Sequence, residues 1–328
     1  MAFGRRDWGA IAGDAPGAFW IGGGRAVPGA GEPKPPGFAR RFDAAGLGVA
    51  RTGYERDAEI VVFRCGPTRY RPDVLRSHMH ADALSVLWRV GGEDVLLDPG
   101  SYLYSEGDGW RAALRGTRAH ACVVVDGRDQ ADVATQRFGI AGERPARWLS
   151  FAGGADRLTA AAEHPADGAV RVRRRVAWRA GDLLALCDDV VGEGAHAVEA
   201  WLPLPPSSGA PDAGGVALAL AGGRGVLVQC FGDVRSVEVL RPGETSPPGP
   251  GWIAPRYGVR TPATAVRIDA GEGPLPRRLV TVIQTRRAGA PLRPARCEPV
   301  ADAGVRVATE RGAVRFDGAG GVAFEDAP

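Results

Sequence analysis

From Phe42 onward the chain consists of short apolar runs separated by turn residues. Four early runs are rich in β-branched residues: Glu59–Cys65, Ala83–Val90, Asp94–Asp98 and Ala121–Gly127. Six later runs share this character: Val170–Trp178, Leu183–Val191, Ala197–Leu202, Gly225–Cys230, Val234–Leu240 and Leu279–Thr285. Runs of this length without long helical periodicity predict strands, and their density predicts an all-β sandwich or barrel.

Glycine and proline mark the connections between these runs. Val90-Gly-Gly-Glu-Asp94 predicts a tight hairpin, and Asp126-Gly127 predicts another hairpin turn. The segment Arg241–Pro262 is rich in both residue types and predicts a long surface loop. The 48 glycines and 26 prolines make up more than a fifth of the 328 residues, which argues against a helical bundle.

Residues 1–40 differ from the rest of the chain. Arg6–Gly13 and Ala18–Gly22 predict short helices with exposed aromatic side chains, and Val27–Gly37 has the composition of a linker. This segment is too short to form a domain of its own. We therefore expect a short helical or irregular remnant with a linker at 1–40, followed by one β domain at 41–328.

Charge and cysteine content exclude several classes of protein. The net charge of +3 is small, and no basic cluster is interleaved with aromatic residues, which argues against nucleic-acid binding. Arg171–Arg175 alternates like a strand with a solvated face. The five scattered cysteines match neither a disulfide framework nor a cysteine-rich zinc site. No hydrophobic signal follows Met1–Arg6, and no apolar run reaches the ~20 residues of a membrane span.

Three of the five histidines lie close together in the sequence. His78 and His80 are two residues apart, His120 follows, and Asp98 lies between them before a Pro-Gly turn. Imidazole and carboxylate are ligands that zinc prefers, and the spacing of His78 and His80 in a strand would place both rings on one face. Spacing alone leaves two interpretations open: a metal site, or ordinary polar groups in loops.

The segments around these histidines match a set of known motifs. Ser77-His-Met-His-Ala-Asp-Ala-Leu-Ser85 is close to His-Gly-His-Ala-Asp-Ala-Leu-Ser, and Leu96–Tyr104 contains Leu-Asp-Pro-Gly-Ser-Tyr. Trp110-Arg111, Arg115–His120 and Val123–Gln130 continue the match in the same order. This stretch resembles the heparinase II/III-like polysaccharide lyases. The resemblance extends over about residues 40–328 and implies the family's C-terminal β-sandwich domain.

The resemblance also implies a site and a chemistry. Zinc would be held by His80, Asp98 and His120, with His78 facing a cleft between the sandwich and a preceding helical toroid. The reaction would be β-elimination on a uronic acid unit of an acidic polysaccharide, in which a base removes the C5 proton and the 4-linked sugar leaves. Tyr and His commonly serve as acid and base, and several of the family's catalytic residues come from the toroid. Residues 1–25 resemble only the last segment of that toroid.

Three departures from the family pattern indicate weakened or altered catalysis. The glycine between the two histidines is Met79, and the usual Ala-His-Asn-Thr becomes Ala119-His-Ala-Cys122. Ala113-Leu114 stands where relatives often carry Tyr-Phe. If that tyrosine carries a proton, Tyr102 or Tyr104 would have to replace it. Aromatic packing at a sandwich edge is the alternative for both tyrosines.

The remaining candidates have ordinary alternatives. Arg111, Arg115 and Arg118 are candidates to bind a uronate carboxylate or sulfate, and solvated or structural arginines are equally compatible with the pattern. Asp82 is expected to orient an imidazole rather than to bind metal. His164 and His196 lie outside the motifs, and the sequence indicates no role for Gln130.

Two hypotheses follow. The first is the zinc-bearing β-sandwich portion of a lyase for acidic polysaccharides, either a shortened enzyme or a module that works with a separate helical partner. The second is a catalytically inactive, zinc-stabilised module for carbohydrate binding or assembly. A different zinc hydrolase is disfavoured because no second carboxylate lies near the histidines. The family implies a periplasmic or cell-envelope location, whereas the chain as written carries no export signal and would be cytoplasmic.

Overall fold

The predicted runs form antiparallel strands in the computed structural model. The structure describes residues 33–66, 78–104, 109–134, 139–212, 215–241, 249–287, 289–291 and 293–326. The first five strands are β1 (Phe38–Phe42), β2 (Leu47–Arg51), β3 (Ile60–Arg64), β4 (Val86–Val90) and β5 (Glu93–Leu96). They form one sheet in that order, joined by antiparallel pairs.

The central part of the chain supplies the largest sheet. Its strands are β7 (Arg147–Gly153), β8 (Arg157–Asp167), β9 (Val170–Arg179), β10 (Leu183–Val191), β12 (Ser207–Asp212), β13 (Gly215–Leu220), β14 (Gly225–Gly232) and β19 (Arg277–Arg286). Their order across the sheet is β12-β13-β14-β19-β10-β9-β8-β7.

The remaining strands form three smaller sheets. β6 (Val123–Val125), β11 (Ala195–Leu204), β15 (Ser236–Leu240) and β18 (Thr264–Pro274) make a sheet of order β15-β18-β11-β6. β16 (Trp252–Arg256) and β17 (Val259–Pro262) form a hairpin. β20 (Arg296–Pro299), β21 (Val305–Thr309), β22 (Gly312–Phe316) and β23 (Val322–Asp326) form a sheet in chain order.

One core joins the large sheet to the sheets that contain β4 and β11. Trp88 on β4, Trp178 on β9 and Ile268 on β18 all belong to it and are at most 1% exposed. The β4 and β11 sheets are joined just after β5, where the Leu97 amide donates to the Pro203 carbonyl of β11 at 3.2 Å. The all-β sandwich that the sequence predicts is therefore confirmed.

The second face of the large sheet is also covered. Leu184 and Leu186 on β10 face the main core, while Leu183 and Cys187 face a second cluster that includes Phe316 of β22. Successive side chains of a strand point to opposite faces, so β10 is buried on both sides. The C-terminal sheet thus forms a third layer on the sandwich.

Helical structure is short in the described part of the chain. Helix α1 (Trp110–Arg115) is followed by a 3-10 turn at Thr117–Ala119, and another 3-10 turn lies at Asp43–Ala45. None of the described helices is long and apolar enough to cross a membrane. The short helices predicted within residues 1–25 lie outside the described residues.

The hairpin predictions are confirmed, and the loop prediction is only partly correct. Gly91 and Gly92 both have positive φ in the β4–β5 turn, as a type I′ hairpin requires. Asp126 and Gly127 also have positive φ, between the bridged residues Val125 and Arg128. The predicted surface loop at Arg241–Pro262 instead contains β16 and β17.

The predicted solvated face at Arg171–Arg175 is wrong for Arg174 and Arg175, which are both buried. Arg174 is 1% exposed, and its Nε and Nη2 donate to the two carboxylate oxygens of Asp188 at 2.7 and 2.8 Å. Its Nη1 donates to the carbonyls of Leu84, at 2.8 Å, and Ala121. The alternation is real, but both faces of β9 are covered by protein. Only Arg171 of these residues is exposed.

We expect Arg174→Met to lower the free energy of unfolding by about 3–5 kcal/mol, because it leaves the Asp188 carboxylate buried without its partner. Chemical denaturation measures this loss. Arg171→Met, at the exposed start of the same strand, should change stability by no more than about 0.5 kcal/mol. Equal effects of the two substitutions would contradict a structural role for the Arg174–Asp188 pair.

Candidate functional site

Three side chains from separate loops meet beside the β4–β5 sheet. His80 Nδ1 lies 2.9 Å from His120 Nε2, and Asp98 Oδ2 lies 3.7 Å from the first atom and 3.5 Å from the second. His120 is 1% exposed, while the side chains of His80 and Asp98 are 12% and 39% exposed. They form a cluster of potential metal ligands in the described part of the chain. The structure therefore brings together the three ligands that the resemblance implies.

The donor set fits a tetrahedral divalent cation. Metal–ligand bonds of about 2.0 Å in a tetrahedron place neighbouring ligand atoms roughly 3.3 Å apart, and the three distances between these atoms bracket that value. The His120 Nδ1–H donates to the Gly116 carbonyl at 2.8 Å, which leaves the Nε2 lone pair facing the cluster in the neutral ring. Two imidazoles and one carboxylate form a set of the kind that zinc prefers.

Asp98 is oriented by its own turn. Its Oδ1 accepts the Gly100 amide at 2.8 Å, so that Oδ2 is the oxygen that approaches the histidines. Gly100 has φ of +74°, and a Cβ at this position would clash with the Ala254 carbonyl oxygen. The Pro-Gly turn after Asp98 therefore aims the carboxylate as well as reversing the chain.

The three groups also shift each other's ionisation. Burial by itself would raise the pKa of Asp98, but the hydrogen bonds with His120 and His80 hold it well below its usual range. Burial by itself would lower the pKa of His120, and the neighbouring Asp98 carboxylate raises it above its ordinary value. The site thus combines an ionised carboxylate with imidazoles, an arrangement that attracts positive charge.

Buried side chains hold the backbone of the His80 segment. Arg115 is fully buried, and its Nε donates to the Met79 carbonyl at 2.9 Å. The Ala81 amide donates to the Arg115 carbonyl at 2.8 Å, which fixes the chain on the other side of His80. The neighbouring Asp82 carboxylate accepts Arg64 Nε at 2.7 Å. Asp82 therefore pairs with an arginine rather than with an imidazole.

Gln130 has a structural role that the sequence did not indicate. Its Oε1 accepts the Ala83 amide at 2.8 Å, and its Nε2 donates to the Ala83 carbonyl at 3.0 Å. A single side chain thus satisfies both backbone groups of a buried residue three positions after His80. No sequence signal marks this pairing, because the two residues are 47 positions apart.

The three candidate arginines have different surroundings. Arg111 and Arg115 are 4% and 0% exposed, so neither presents its guanidinium at the surface. The Arg118 side chain is 42% exposed and donates to the Glu199 carboxylate at 2.8 Å. Burial therefore favours a structural role for Arg111 and Arg115. Arg118, two residues before His120 in the sequence, remains partly exposed.

His78 and Tyr104 form an exposed contact beside the cluster. Their rings lie 5.4 Å apart in an edge-to-face arrangement, and Tyr104 is 47% exposed. The strand geometry expected for His78 and His80 is wrong, because both lie in a loop before β4 begins at Val86. His80 joins the ligand cluster, whereas His78 contacts Tyr104.

Tyr102 has a different environment from Tyr104. Its φ is +64°, so residues 101–104 do not alternate like a strand. The Arg260 guanidinium lies 4.7 Å from the centre of the Tyr102 ring and 4.2 Å from that of Trp110. Tyr257, on the same hairpin as Arg260, lies 5.8 Å from the Tyr104 ring. The sequence gives no strand signal for this hairpin, because its Pro/Gly content resembles that of a loop.

The two other histidines lie outside the cluster. His164 is 2% exposed, and burial, together with the nearby Arg144, lowers its pKa to about 4. His196 Nδ1 contacts the Asp126 carboxylate at 2.8 Å, and this hydrogen bond raises the His196 pKa. Both have structural surroundings, as expected of ordinary histidines.

Comparison with known proteins finds one family and several similar folds. The family model described as "Heparinase II/III-like, C-terminal" matches residues 34–297. A heparinase III structure matches with a TM-score of 0.70 at 18% identity, over 91% of this chain and 44% of that chain. The heparan sulfate lyase HepC from Pedobacter heparinus matches with a TM-score of 0.66 at 13% identity, over 94% of this chain and 45% of that one. No curated protein sequence matches the chain.

The structural matches confirm the fold, and the family model identifies the family. At such low identity the structural matches show the fold alone. The chain spans less than half of the length of either lyase.

We expect Gln130→Met to lower the free energy of unfolding by about 1–3 kcal/mol, because the buried Ala83 amide loses its partner and the Ala83 carbonyl keeps only the Cys122 thiol. Hydrogen exchange should show faster exchange of the Ala83 amide than in the wild type. Arg128→Gln, a change to an exposed neighbour, serves as the control. Unchanged exchange at Ala83 would show that the amide contact does not hold this segment.

Proposed function

The chain belongs to the heparinase II/III-like family, and we propose that it forms the metal-bearing β-sandwich part of a polysaccharide lyase. The proposed substrate is an acidic polysaccharide with uronic acid units, cleaved by β-elimination. The main supporting observation is the convergence of His80, Asp98 and His120, two of whose loops also carry the exposed His78–Tyr104 contact. Ligand candidates for a cation and candidate proton carriers thus lie on the same two loops.

We propose zinc as the cation, held by His80, Asp98 and His120. A bound zinc ion would add positive charge to the cleft wall and restrain the three loops that meet there. The His120 ring is already oriented for this by its hydrogen bond to the Gly116 carbonyl, and the Asp98 carboxylate by the Gly100 amide. The side chains that supply the ligands therefore need little rearrangement.

The chain's own side chains supply only part of the proposed elimination. His78, at the exposed rim, would hold or deliver a proton near C5 or the leaving oxygen, and the Tyr104 hydroxyl is the second candidate for this role. Tyr102 lies in the same loop but its ring is covered by Arg260 on one face. Arg118 would bind the uronate carboxylate. Its ion pair with Glu199 reduces the positive charge that is available to the substrate.

A helical domain would supply the missing catalytic groups. The chain spans less than half of the similar lyases, which is consistent with a second part on the same or a separate chain. We propose that the segment before β1 connects the β domain to such a helical toroid, and that the complete enzyme works in the periplasm or cell envelope.

A second candidate function is an inactive module that binds carbohydrate. Helix α1 presents Ala113 and the buried Leu114 where a tyrosine is common in the family. Cys122, two residues after His120, is fully buried, and burial raises the pKa of its thiol. Neither position offers a hydroxyl or amide to a substrate. These replacements favour retention of the fold without turnover.

We expect the purified chain to bind about one zinc per molecule, because three ligand atoms already lie at tetrahedral spacing. Elemental mass spectrometry and competition with a chromogenic chelator measure content and affinity. His80→Ala should lose the bound metal, while His196→Ala should retain it because His196 contacts Asp126 instead. Absence of zinc from the wild-type chain after loading would contradict the proposed metal site.

We expect elimination to form an unsaturated uronate at the new chain end, which ultraviolet absorbance detects. Heparan sulfate, chondroitin sulfate and alginate are suitable probes, tested with the chain alone and with an added helical domain of a heparan sulfate lyase. His78→Ala should slow the reaction by at least about 100-fold if His78 transfers a proton. His196→Ala is the matched control. Binding of these polymers without any elimination would instead favour the second candidate function.

A further inference from the structure

The β16–β17 hairpin exposes an aromatic ring beside the site. Tyr257, at its tip, is 65% exposed, the largest exposure among the large hydrophobic side chains that the described residues leave at the surface. Its ring centre lies 5.8 Å from that of Tyr104, with 34° between the ring planes. Tyr104 in turn contacts His78 edge to face. An open aromatic surface therefore continues from the His78 rim onto the hairpin.

Backbone hydrogen bonds attach the hairpin to the loop that carries Asp98. The Ala254 amide donates to the Pro99 carbonyl at 2.6 Å, and the Gly258 amide donates to the Tyr102 carbonyl at 2.9 Å. The second bond is made by the residue next to Tyr257. The position of the Tyr257 ring is therefore set by the same loop that positions the Asp98 carboxylate.

The base of the hairpin is packed while its tip is open. Arg260 lies over both Tyr102 and Trp110, and Trp252 contacts Trp110 edge to face at 5.3 Å. These contacts hold the hairpin strands against helix α1. Packing at the base explains those aromatic residues, but it does not explain a tyrosine with most of its surface in solvent.

The charge on the hairpin is positive. Arg256 and Arg260 are the only charged residues between Trp252 and Pro262. Arg256 is exposed and directly precedes Tyr257. An exposed ring whose sequence neighbour is an exposed arginine suits a ligand that combines an apolar C–H face with carboxylate or sulfate groups. A sugar unit of an acidic polysaccharide has both features.

We infer that Tyr257 is a stacking platform for a sugar unit of the acidic polysaccharide. This sugar unit is the neighbour, along the polysaccharide, of the unit bound at His78. Arg256 pairs with an acidic group of the same sugar unit or its neighbour. The inference rests on the proposed function, since it assigns a subsite to that substrate class. The Tyr104 ring contacts both His78 and the Tyr257 ring, and so joins the two parts of the aromatic surface.

Calorimetric titration of the chain with a heparan sulfate tetrasaccharide tests this subsite. Tyr257→Ala should weaken binding about tenfold, because it removes the ring face, and Tyr257→Phe should bind within about twofold of the wild type. Arg256→Ala should weaken binding at low salt and have a smaller effect at high salt, because the contact is exposed. Phe42→Ala, which removes an exposed ring from β1 in a different sheet, is the control. Circular dichroism checks that each variant folds.

The outcomes separate the subsite from the proposed function. If Tyr257→Ala binds the tetrasaccharide as tightly as the wild type, the stacking platform is overturned, whereas the lyase proposal is unaffected. Equal losses in Tyr257→Ala and Tyr257→Phe also overturn it, because they assign the contact to the hydroxyl. No binding of tetrasaccharides from heparan sulfate, chondroitin sulfate or alginate by the wild-type chain overturns the acidic-polysaccharide proposal and the subsite with it.

Discussion

Two neighbouring arginines on β9 link the three layers of the fold. Arg174 extends from one face of the large sheet, pairs with Asp188 and donates to the carbonyls of Leu84 and Ala121. Arg175 extends from the other face, pairs with Asp189 and donates to the Asp317 carbonyl at 2.6 Å. Both guanidiniums are at most 1% exposed. A buried charge is tolerated only when it is paired and hydrogen-bonded, so the position of each layer is constrained by the need to satisfy these groups.

The Arg174 contacts matter for the candidate site because they reach the backbone near two of the ligand candidates. Ala121 directly follows His120, and Leu84 lies four residues after His80. Arg115 and Gln130 hold the Met79 carbonyl and the Ala83 backbone in the same manner. The loops that carry the ligands are thus held mainly through backbone groups. Such contacts depend little on the identity of the residue whose carbonyl or amide is bound, so the site geometry is compatible with Met79 between the two histidines.

The candidate site combines a buried part with an open part. His120 is enclosed and hydrogen-bonded to the backbone, which suits a ligand whose orientation must not change. His78, Tyr104 and Tyr257 lie at the surface, which suits contact with a long polymer. The Asp98 loop connects the two parts, because its carboxylate faces the histidines while its backbone binds the hairpin. A cation at the cluster and a sugar chain at the rim would therefore influence each other through one short loop.

The sequence by itself determined the strands at its ten apolar runs, the tight hairpins and the family motif that contains all three ligand candidates. These features are local: β-branched runs, paired positive-φ residues at Gly91-Gly92 and Asp126-Gly127, and a continuous motif from Ser77 to Gln130. The tertiary structure decided which polar residues are buried and which are open. Arg174 and Arg115 look like surface residues in the sequence, and Tyr257 lies in a segment that resembles a loop. The environments of the buried arginines depend on distant segments: Arg174 binds the Leu84 carbonyl 90 residues away, and its neighbour Arg175 binds the Asp317 carbonyl 142 residues away. The pattern of hydrophobic positions along the sequence does not encode such distant hydrogen bonds, because they depend on how the layers pack.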